Sequence, residues 1–246
     1  MSDQKTAFIS GSGRNIGRAM ALDFARDNIA VILNGSSNRN ACDSVAEEVR
    51  KSGGTAHVIM GDVGDGEEVE RMADEVLSLV GRVDIVINNA SIRPSKPFLE
   101  MSHEEWHRVI SVDMHSAFYT AQAFLPGMVE AGWGRIVNIT GMNAIHGYSG
   151  RAPVSVAKHG LWGLTKSLAK EFGPKGITVN AISPGPIESE NMDPDQASHI
   201  RSFLDKIPVG HLGAPTDISA MTSLMCSDRG RFINGQMFAI NGGTQT

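Results

Sequence analysis

The sequence predicts an α/β protein built on a doubly wound, seven-stranded parallel sheet flanked by helices. Short runs rich in β-branched residues alternate with longer amphipathic stretches along all 246 residues, and this repetition favours right-handed crossovers between parallel strands. The runs at 29–34, 83–88 and 136–140 are mostly apolar without alternation, as expected of strands covered by helices on both faces. No low-complexity block or long linker divides the chain, so we expect a single domain over residues 1–246.

Predicted strands and helices follow one another in order. The first strand runs directly into a glycine-rich turn that opens the first helix, and each later strand except the last precedes an amphipathic stretch. The strands are predicted at 5–10, 29–34, 55–60, 83–88, 134–140, 176–182 and 236–240. The helices are predicted near 15–27, 39–52, 66–80, 102–130, 152–172 and 215–226. The stretch 183–200 is rich in proline, glycine and polar residues, which predicts a mobile lid over a site.

Composition limits the class of protein. The chain has 22 basic and 27 acidic residues, a formal charge of −5, whereas nucleic-acid binders are more often basic. Its two cysteines cannot build a disulfide framework and suit a reducing cytosol. No apolar run approaches the ~18–20 residues that span a bilayer, and no secretory leader is recognisable. The histidines lack metal-ligand spacing. We expect a cytoplasmic protein that acts on a small molecule, with no nucleic acid, membrane or metal.

The turn after the first strand predicts a nucleotide site. It reads Ser10-Gly11-Ser12-Gly13-Arg14-Asn15-Ile16-Gly17. Glycines permit a tight turn and a close backbone approach, and the N-terminus of the following helix presents free N–H groups to a pyrophosphate. The position between a strand and a helix makes this glycine pattern more specific than it would be alone and indicates a Rossmann-like fold.

Further motifs follow in order along the chain. Asp62-Val63 follows the third strand, Asn88-Asn89-Ala90-Ser91 the fourth, and Pro184-Gly185-Pro186-Ile187 the sixth. With Asn15 in place of the middle glycine of the turn, these motifs resemble the classical-type short-chain dehydrogenase/reductase family over essentially the whole chain. Asparagine tolerates a left-handed backbone, so we expect the turn to survive this replacement. The predicted cofactor-binding set is Gly11, Arg14, Asn15, Ile16, Gly17, Asn34, Ser36, Ser37, Asp62, Val63, Asn89, Ala90, Lys158, Pro184, Gly185, Ile187 and Ser189.

The loop after the second strand predicts NADP(H) in preference to NAD(H). Users of NAD usually place an acid there to bind the ribose 2′-hydroxyl, but residues 34–39 contain none. Ser36, Ser37, Arg39 and Arg14 could instead supply hydroxyls and cations to a 2′-phosphate. The alternative is that they are solvated loop residues.

The resemblance implies a catalytic tyrosine, a lysine four residues later, a serine thirteen residues before the tyrosine and an upstream asparagine. The matching positions hold Val154, Lys158, Gly141 and Asp113, so only the lysine remains. Neither of the two tyrosines is followed four residues later by lysine. If the family geometry holds, Asp113 and Lys158 should lie close enough to form an ion pair. The alternative is that Asp113 caps or pairs locally without a chemical role.

The loop at 142–151 holds the candidates for replacing the missing groups. Tyr148 could reach the site from the loop, and His146 could act as an acid or base. Arg151, together with Arg93 after the fourth strand, could bind a carboxylate or phosphate. Asn143 is a further pocket candidate, and each of these residues could instead lie on the surface.

Three functions remain open at this point. The first is an NADP(H)-dependent oxidoreductase with a rebuilt site that acts on a small polar or anionic carbonyl or activated alkene, with Lys158, Tyr148, Asp113 and Arg151 as its predicted catalytic residues. The second is a non-redox lyase, aldolase or hydrolase on the same fold. The third is an inactive cofactor-binding or regulatory homologue. The resemblance also implies a homotetramer, or a homodimer, assembled through the helices at 102–130 and 152–172.

Overall fold

Seven parallel strands form one sheet in this computed structural model, which describes residues 4–190 and 204–245. The strands are β1 (Thr6–Ile9), β2 (Ala30–Gly35), β3 (Ala56–Met60), β4 (Ile85–Asn88), β5 (Gly134–Ile139), β6 (Ile177–Pro184) and β7 (Met237–Ile240). Each boundary lies within two residues of its prediction. The strand order is β3-β2-β1-β4-β5-β6-β7, so the chain changes direction across the sheet between β1 and β4, which is where ligands bind in open α/β sheets.

Helices cover both faces of the sheet. They are α1 (Asn15–Arg26), α2 (Arg39–Lys51), α3 (Gly66–Val80), α4 (His103–Ile110), α5 (Ser116–Ala131), α6 (Ala152–Phe172) and α7 (Pro215–Cys226). The predicted single helix at 102–130 is wrong in one respect, because a π-helical turn at Ser111–His115 separates α4 from α5. Such turns occur often at functional sites, and this one contains Asp113.

Alternation along the strands produces a core on each side of the sheet. On one face, Ile9 packs with Phe24 of α1 in a cluster that also includes α2 and α7. On the other, the neighbouring Phe8 lies 5.2 Å from Phe124 of α5, centroid to centroid, in a cluster with α3 and α6. The prediction that both faces are covered is confirmed.

All strands point the same way, so their carboxyl ends meet at one edge of the sheet, and the loops there carry the predicted site. Of the predicted lid at 183–200, residues 191–200 lie outside the described part of the chain. Within residues 4–190 and 204–245, no helix has the length and apolar character needed to cross a membrane.

Candidate active site

The glycine-rich turn between β1 and α1 has a shape that suits a dinucleotide pyrophosphate. Gly11 has a φ of +62° and Asn15 a φ of +50°, so asparagine adopts the left-handed backbone expected where the family has glycine. A Cβ atom on Gly17 would collide with the Gly11 carbonyl oxygen and would lie 2.8 Å from the Ser12 Cα. Glycine at position 17 therefore allows the turn to pack tightly against the start of α1. The first N–H groups of this helix have no partners within the helix.

Hydrogen bonds from the segment that follows β4 hold together the crevice beside this turn. The Asn89 side-chain amide donates to the carbonyl oxygens of Ser10, at 3.0 Å, and Gly11, at 2.9 Å. The Ser10 hydroxyl accepts the backbone N–H groups of Asn89 and Ala90, both at 3.0 Å. Asn89 therefore holds the two strand ends together, and Ala90 lines the crevice between them.

The loop after β2 combines one structural side chain with two exposed hydroxyls. Asn34 is 1% exposed, and its amide donates to the carbonyl oxygens of Ile59 and Gly61, at 3.2 and 3.0 Å. Asn34 thus ties β2 to the end of β3, and its amide does not face the loop as a donor for the cofactor. Ser36 and Ser37 are exposed.

Two arginines border the same loop. Arg14, in the turn before α1, is exposed. Arg39 is exposed, and its guanidinium lies 3.6 Å from the Asp43 carboxylate. Arg14, by contrast, has no carboxylate partner among the described residues.

Asp62 after β3 has a partner that the sequence did not indicate. One carboxylate oxygen accepts the Gly64 N–H at 2.9 Å, and the other lies 2.6 Å from a guanidinium nitrogen of Arg108 on α4. Its neighbour Val63 is 3% exposed and packs in the core. The Arg108 contact orients the carboxylate, and no local motif signals it because the two residues are far apart in the chain.

The loop after β6 lies close to the glycine-rich turn. Pro184 ends β6, and a Cβ on Gly185 would lie 2.5 Å from the Asn241 Cα, so glycine permits this close approach. Ile187 pairs with Gly213 in an isolated parallel bridge.

Two residues farther along, the same loop is joined to the turn. Ser189 donates to the Glu190 carbonyl oxygen at 3.3 Å. The Glu190 N–H donates to Asn15 Oδ1 at 3.0 Å, and its carboxylate lies 3.2 Å from Arg18 of α1. The side chain of Asn15 therefore makes a link that a glycine could not make.

Lys158 and Asp113 form a buried ion pair at the end of β5. Their side chains are 1% and 0% exposed, and Lys158 Nζ lies 3.6 Å from Asp113 Oδ2. Lys158 also donates to the Ile139 carbonyl oxygen at 3.1 Å, while Asp113 accepts from the Ser91 hydroxyl at 2.7 Å and the Ile92 N–H at 2.8 Å. Burial lowers the pKa of Lys158, and the Asp113 carboxylate partly opposes this. The predicted contact is confirmed.

The two positions that hold hydroxyls in the family are apolar here. Val154 lies one helical turn before Lys158 on α6 and is 0% exposed. Gly141 has φ +103° and ψ 174°, a conformation essentially restricted to glycine, and a Cβ there would have open space within 4 Å. The backbone after β5 therefore differs in conformation as well as in side chain from one that would carry a serine.

The remaining candidate site residues lie in the loop at 142–151 and differ in how far they are buried. Asn143 is 8% exposed and accepts a hydrogen bond from Ser155 at 3.4 Å, whereas His146 is exposed. Tyr148 is half-buried, and its carbonyl oxygen accepts the Arg151 N–H at 3.1 Å. The second tyrosine, Tyr119, packs beside Gly66 at the start of α3, with His115 and Phe118 around it. Only Tyr148 belongs to the loop beside Lys158.

Arg93 and Arg151 carry positive charge into this region from the loops after β4 and β5. Arg93 is exposed, and the Asp113 carboxylate raises its pKa while the charge of Arg151 lowers it. The charge of Arg93 in turn lowers the pKa of Lys158. The site therefore contains three cations, Arg93, Arg151 and Lys158, around one carboxylate. Among the described residues, no cluster of three or more histidines, cysteines or acids could hold a metal ion.

A doubly wound sheet, a glycine turn shaped for a pyrophosphate and a buried lysine at the end of β5 are features of dinucleotide-binding α/β proteins. Residues 11–245 match the family model described as enoyl-(acyl carrier protein) reductase. The chain is 36% identical over 240 residues to the 3-oxoacyl-[acyl-carrier-protein] reductase FabG of Aquifex aeolicus, covering 97% of this chain and 96% of that protein. It is 34% identical over 239 residues to FabG of Staphylococcus epidermidis, with 97% and 98% covered. The chain belongs to the classical-type short-chain dehydrogenase/reductase family of oxidoreductases.

Solved structures agree with this assignment. Acetoin dehydrogenase YohF from Salmonella typhimurium superposes with a TM-score of 0.90 at 29% identity, covering 98% of this chain and 96% of that one. A proposed NAD(P)-dependent gluconate 5-dehydrogenase from Beutenbergia cavernae, with NADP bound at low occupancy, superposes with a TM-score of 0.89 at 33% identity and the same coverage. The predicted fold class is confirmed.

Proposed function

We propose that the protein is an NADP(H)-dependent oxidoreductase that acts on a small polar or anionic carbonyl compound or activated alkene through a non-standard active site. The observation that carries this proposal is the buried Lys158–Asp113 pair at the end of β5, 3.6 Å apart, beside a turn whose glycines fit a pyrophosphate. Lys158 matches the family's lysine, and Asp113, in place of the family's asparagine, gives it a buried counterion in a pair that is costly to form.

When bound, the reduced nicotinamide would supply a hydride, that is, two electrons and one proton, and would itself become oxidised. Reduction of a carbonyl carbon by that hydride would leave the substrate oxygen negatively charged, and this oxygen would need a proton from the protein. The phenol of Tyr148 donates this proton in our proposal, because Val154 and Gly141 offer no hydroxyl. Lys158 binds the nicotinamide ribose. In an activated alkene the negative charge is delocalised, so proton donation contributes less at the hydride step.

NADP(H) is the proposed cofactor. The exposed Ser36 and Ser37 after β2, with Arg14 in the turn, offer hydroxyls and a cation to a 2′-phosphate. No acid stands in residues 34–39 to repel that phosphate or bind a 2′-hydroxyl. The NADP bound in the Beutenbergia cavernae protein supports the same choice.

We further propose a single domain that works in the cytoplasm as a homotetramer or homodimer. Phe118 on α5 and Val156 on α6 are 46% and 48% exposed, and these are helices through which the family dimerises. Light scattering on the purified chain tests the assembly, and a monomer at micromolar concentration would contradict it.

The test of function combines cofactor binding with turnover. NADPH and NADH titrations followed by nucleotide fluorescence should show tighter binding of NADPH, and a panel of oxo acids, ketones and enones should consume NADPH. Tyr148→Phe should lower kcat by about 10²-fold or more, the usual contribution of a general acid. Tyr119→Phe, which removes a phenol beside Gly66, is the matched control and should leave kcat unchanged. Tight NADPH binding without consumption across the panel would favour a regulatory homologue.

A non-redox lyase or aldolase is the second candidate, favoured by one observation. Burial lowers the pKa of Lys158, the Asp113 carboxylate opposes this, and the charge of Arg93 lowers the pKa further. Desolvation together with a neighbouring cation activates lysines for imine formation. Such an enzyme would turn over an oxo acid with no change in nicotinamide absorbance, and borohydride would trap the substrate on Lys158. A strict need for stoichiometric NADPH would exclude it.

A further inference from the structure

We propose that Arg93 and Arg151 form a two-guanidinium subsite that binds an oxyanionic group of the substrate, a carboxylate or a phosphate. This inference rests on the proposed function because it concerns the substrate of the same site. It narrows the substrate from polar carbonyl compounds in general to those that carry an acid group.

A backbone hydrogen bond joins the two loops that carry the arginines. The backbone N–H of Lys96 donates to the Gly150 carbonyl oxygen at 2.9 Å. Gly150 has a φ of +72°, and a Cβ there would lie 2.8 Å from the Ser95 hydroxyl, so glycine permits this close approach. Arg93 lies just before this contact on one loop, and Arg151 lies just after it on the other.

The charge of this pair is not neutralised by the protein. Within residues 4–190 and 204–245, six other arginines pair with carboxylates: Arg18, Arg26, Arg39, Arg71, Arg82 and Arg108. Arg93 and Arg151 have no ion pair and no side-chain hydrogen bond in the same range. Among the carboxylates of the described residues, Asp113 alone acts on the charge of Arg93, and its oxygens already serve Lys158, Ser91 and Ile92.

An acid group is the ligand that this arrangement favours. Two guanidinium groups held together repel each other, and an oxyanion between them removes that repulsion. Each planar guanidinium can also donate two parallel hydrogen bonds to a carboxylate or phosphate. The loops that carry the arginines follow β4 and β5, so the subsite lies at the same sheet edge as Lys158 and is placed to bind one end of a substrate whose carbonyl faces the nicotinamide.

The test measures binding with the full chain saturated with NADP⁺, which cannot reduce the probes, so that it does not depend on turnover. The probes are 3-oxobutanoate, its methyl ester, dihydroxyacetone phosphate and dihydroxyacetone, each titrated by isothermal calorimetry. We expect one acid to bind at least 10-fold more tightly than its neutral counterpart, and this preference should weaken with added salt. A preference for the phosphate arm identifies a phosphorylated substrate, and a preference for the carboxylate arm an oxo acid.

Variants assign the preference to the two arginines. Arg93→Gln and Arg151→Gln should each reduce it at least 10-fold, and Arg151→Lys should restore only part of it because lysine cannot form the paired hydrogen bonds. Arg229→Gln changes an exposed arginine on a short helical turn after α7 and should have no effect. Equal binding of acids and neutral counterparts would overturn the proposal, as would a preference that survives both glutamine variants. If the preference is present but no NADPH is consumed, the subsite holds and the proposed redox function fails.

Discussion

The ammonium group of Lys158 lies 3.6 Å from the carboxylate of Asp113, and neither side chain is accessible to solvent. Each partner is satisfied further, Lys158 by the Ile139 carbonyl oxygen and Asp113 by Ser91 and the Ile92 N–H. Because a buried charge without a partner is far more costly than a buried pair, the two residues depend on each other. Asp113 therefore positions the lysine and compensates its charge.

Replacing Asp113 by Asn should destabilise the protein by about 3–5 kcal/mol at pH 7, since the Lys158 charge would be left buried without its counterion. Burial lowers the pKa of Lys158 below its ordinary value of 10.5. Between this lowered pKa in the folded chain and 10.5, the value in the unfolded chain, the unfolded chain binds more protons than the folded chain. The free energy of unfolding therefore rises with pH in that interval. Removing the carboxylate lowers this pKa further and widens the interval. The loss of stability should therefore shrink as the pH rises toward 10.

Urea unfolding from pH 7 to pH 10 measures this effect. Asp43→Asn is the control, because Asp43 forms an exposed pair with Arg39 on α2, and exposed pairs contribute about 1 kcal/mol or less. A loss for Asp113→Asn that is the same at every pH would show that Asp113 acts only through its hydrogen bonds.

The sequence predicted those structural features that depend on residues close together in the chain. The strands follow from apolar runs, and the left-handed backbone at Asn15 follows from the turn in which it replaces glycine. The Lys158–Asp113 contact was predicted through the family resemblance. The π-helical turn around Asp113 was not predicted, because the hydrophobic repeat that indicates a helix extends over several turns and does not reveal a change in hydrogen bonding within one of them. The contacts of Arg108 with Asp62 and of Glu190 with Asn15 join distant segments and have no local signature. Asn34 was predicted to bind the cofactor, but its amide donates to the carbonyl oxygens of Ile59 and Gly61 and so joins β2 to the end of β3.

Restoring the family serine at Gly141 should fail. With φ +103° and ψ 174°, this backbone disfavours any side chain by about 1–3 kcal/mol, even though the space around a Cβ is open. Gly141→Ser should therefore lower stability by that amount and should not raise activity toward neutral ketones. Gly147→Ser is the control, because a Cβ there also meets nothing within 4 Å and its φ lies outside the left-handed region. Equal stability of the two variants would show that the loop after β5 readjusts without cost.

The two roles of Asn15 can be separated by two substitutions. Asn15→Gly suits the φ of +50° but removes the hydrogen bond to the Glu190 N–H. Asn15→Ala removes the same bond and adds backbone strain of about 1 kcal/mol or more. We expect the alanine variant to be the less stable and to bind NADPH more weakly, because the strain would distort the turn that we propose binds the pyrophosphate. NADPH affinity that is equal in both variants would mean that the Glu190 contact, and not the backbone, governs binding.

Cofactor preference should respond to a single charge at the end of β2. Ser36→Asp would place a carboxylate where we expect the 2′-phosphate, so NADPH affinity should fall at least 10-fold while NADH affinity stays level or rises. Ser36→Ala removes the hydroxyl without adding charge and should cost only a few-fold. Fluorescence titration of both nucleotides gives the ratio, and an unchanged ratio for Ser36→Asp would place the ribose elsewhere.

A cluster around Trp133, at the amino end of β5 and away from the cofactor edge, should govern stability without affecting binding. Lys5 Nζ lies 3.7 Å and Arg135 Cζ 4.2 Å from the indole centroid, and the indole N–H donates to Asp228 at 3.1 Å. Arg135 is 3% exposed, so the ring covers a cation that would otherwise be poorly compensated. Trp133→Leu should cost about 2–4 kcal/mol and lower Tm by several degrees, at roughly 2–4 °C per kcal/mol for a chain of this size. Trp162→Leu, which loses a single lysine contact at 5.0 Å, should cost about 1 kcal/mol or less. NADPH affinity should be unchanged in both variants, and loss of binding in Trp133→Leu at unchanged Tm would show that the two ends of the sheet are coupled.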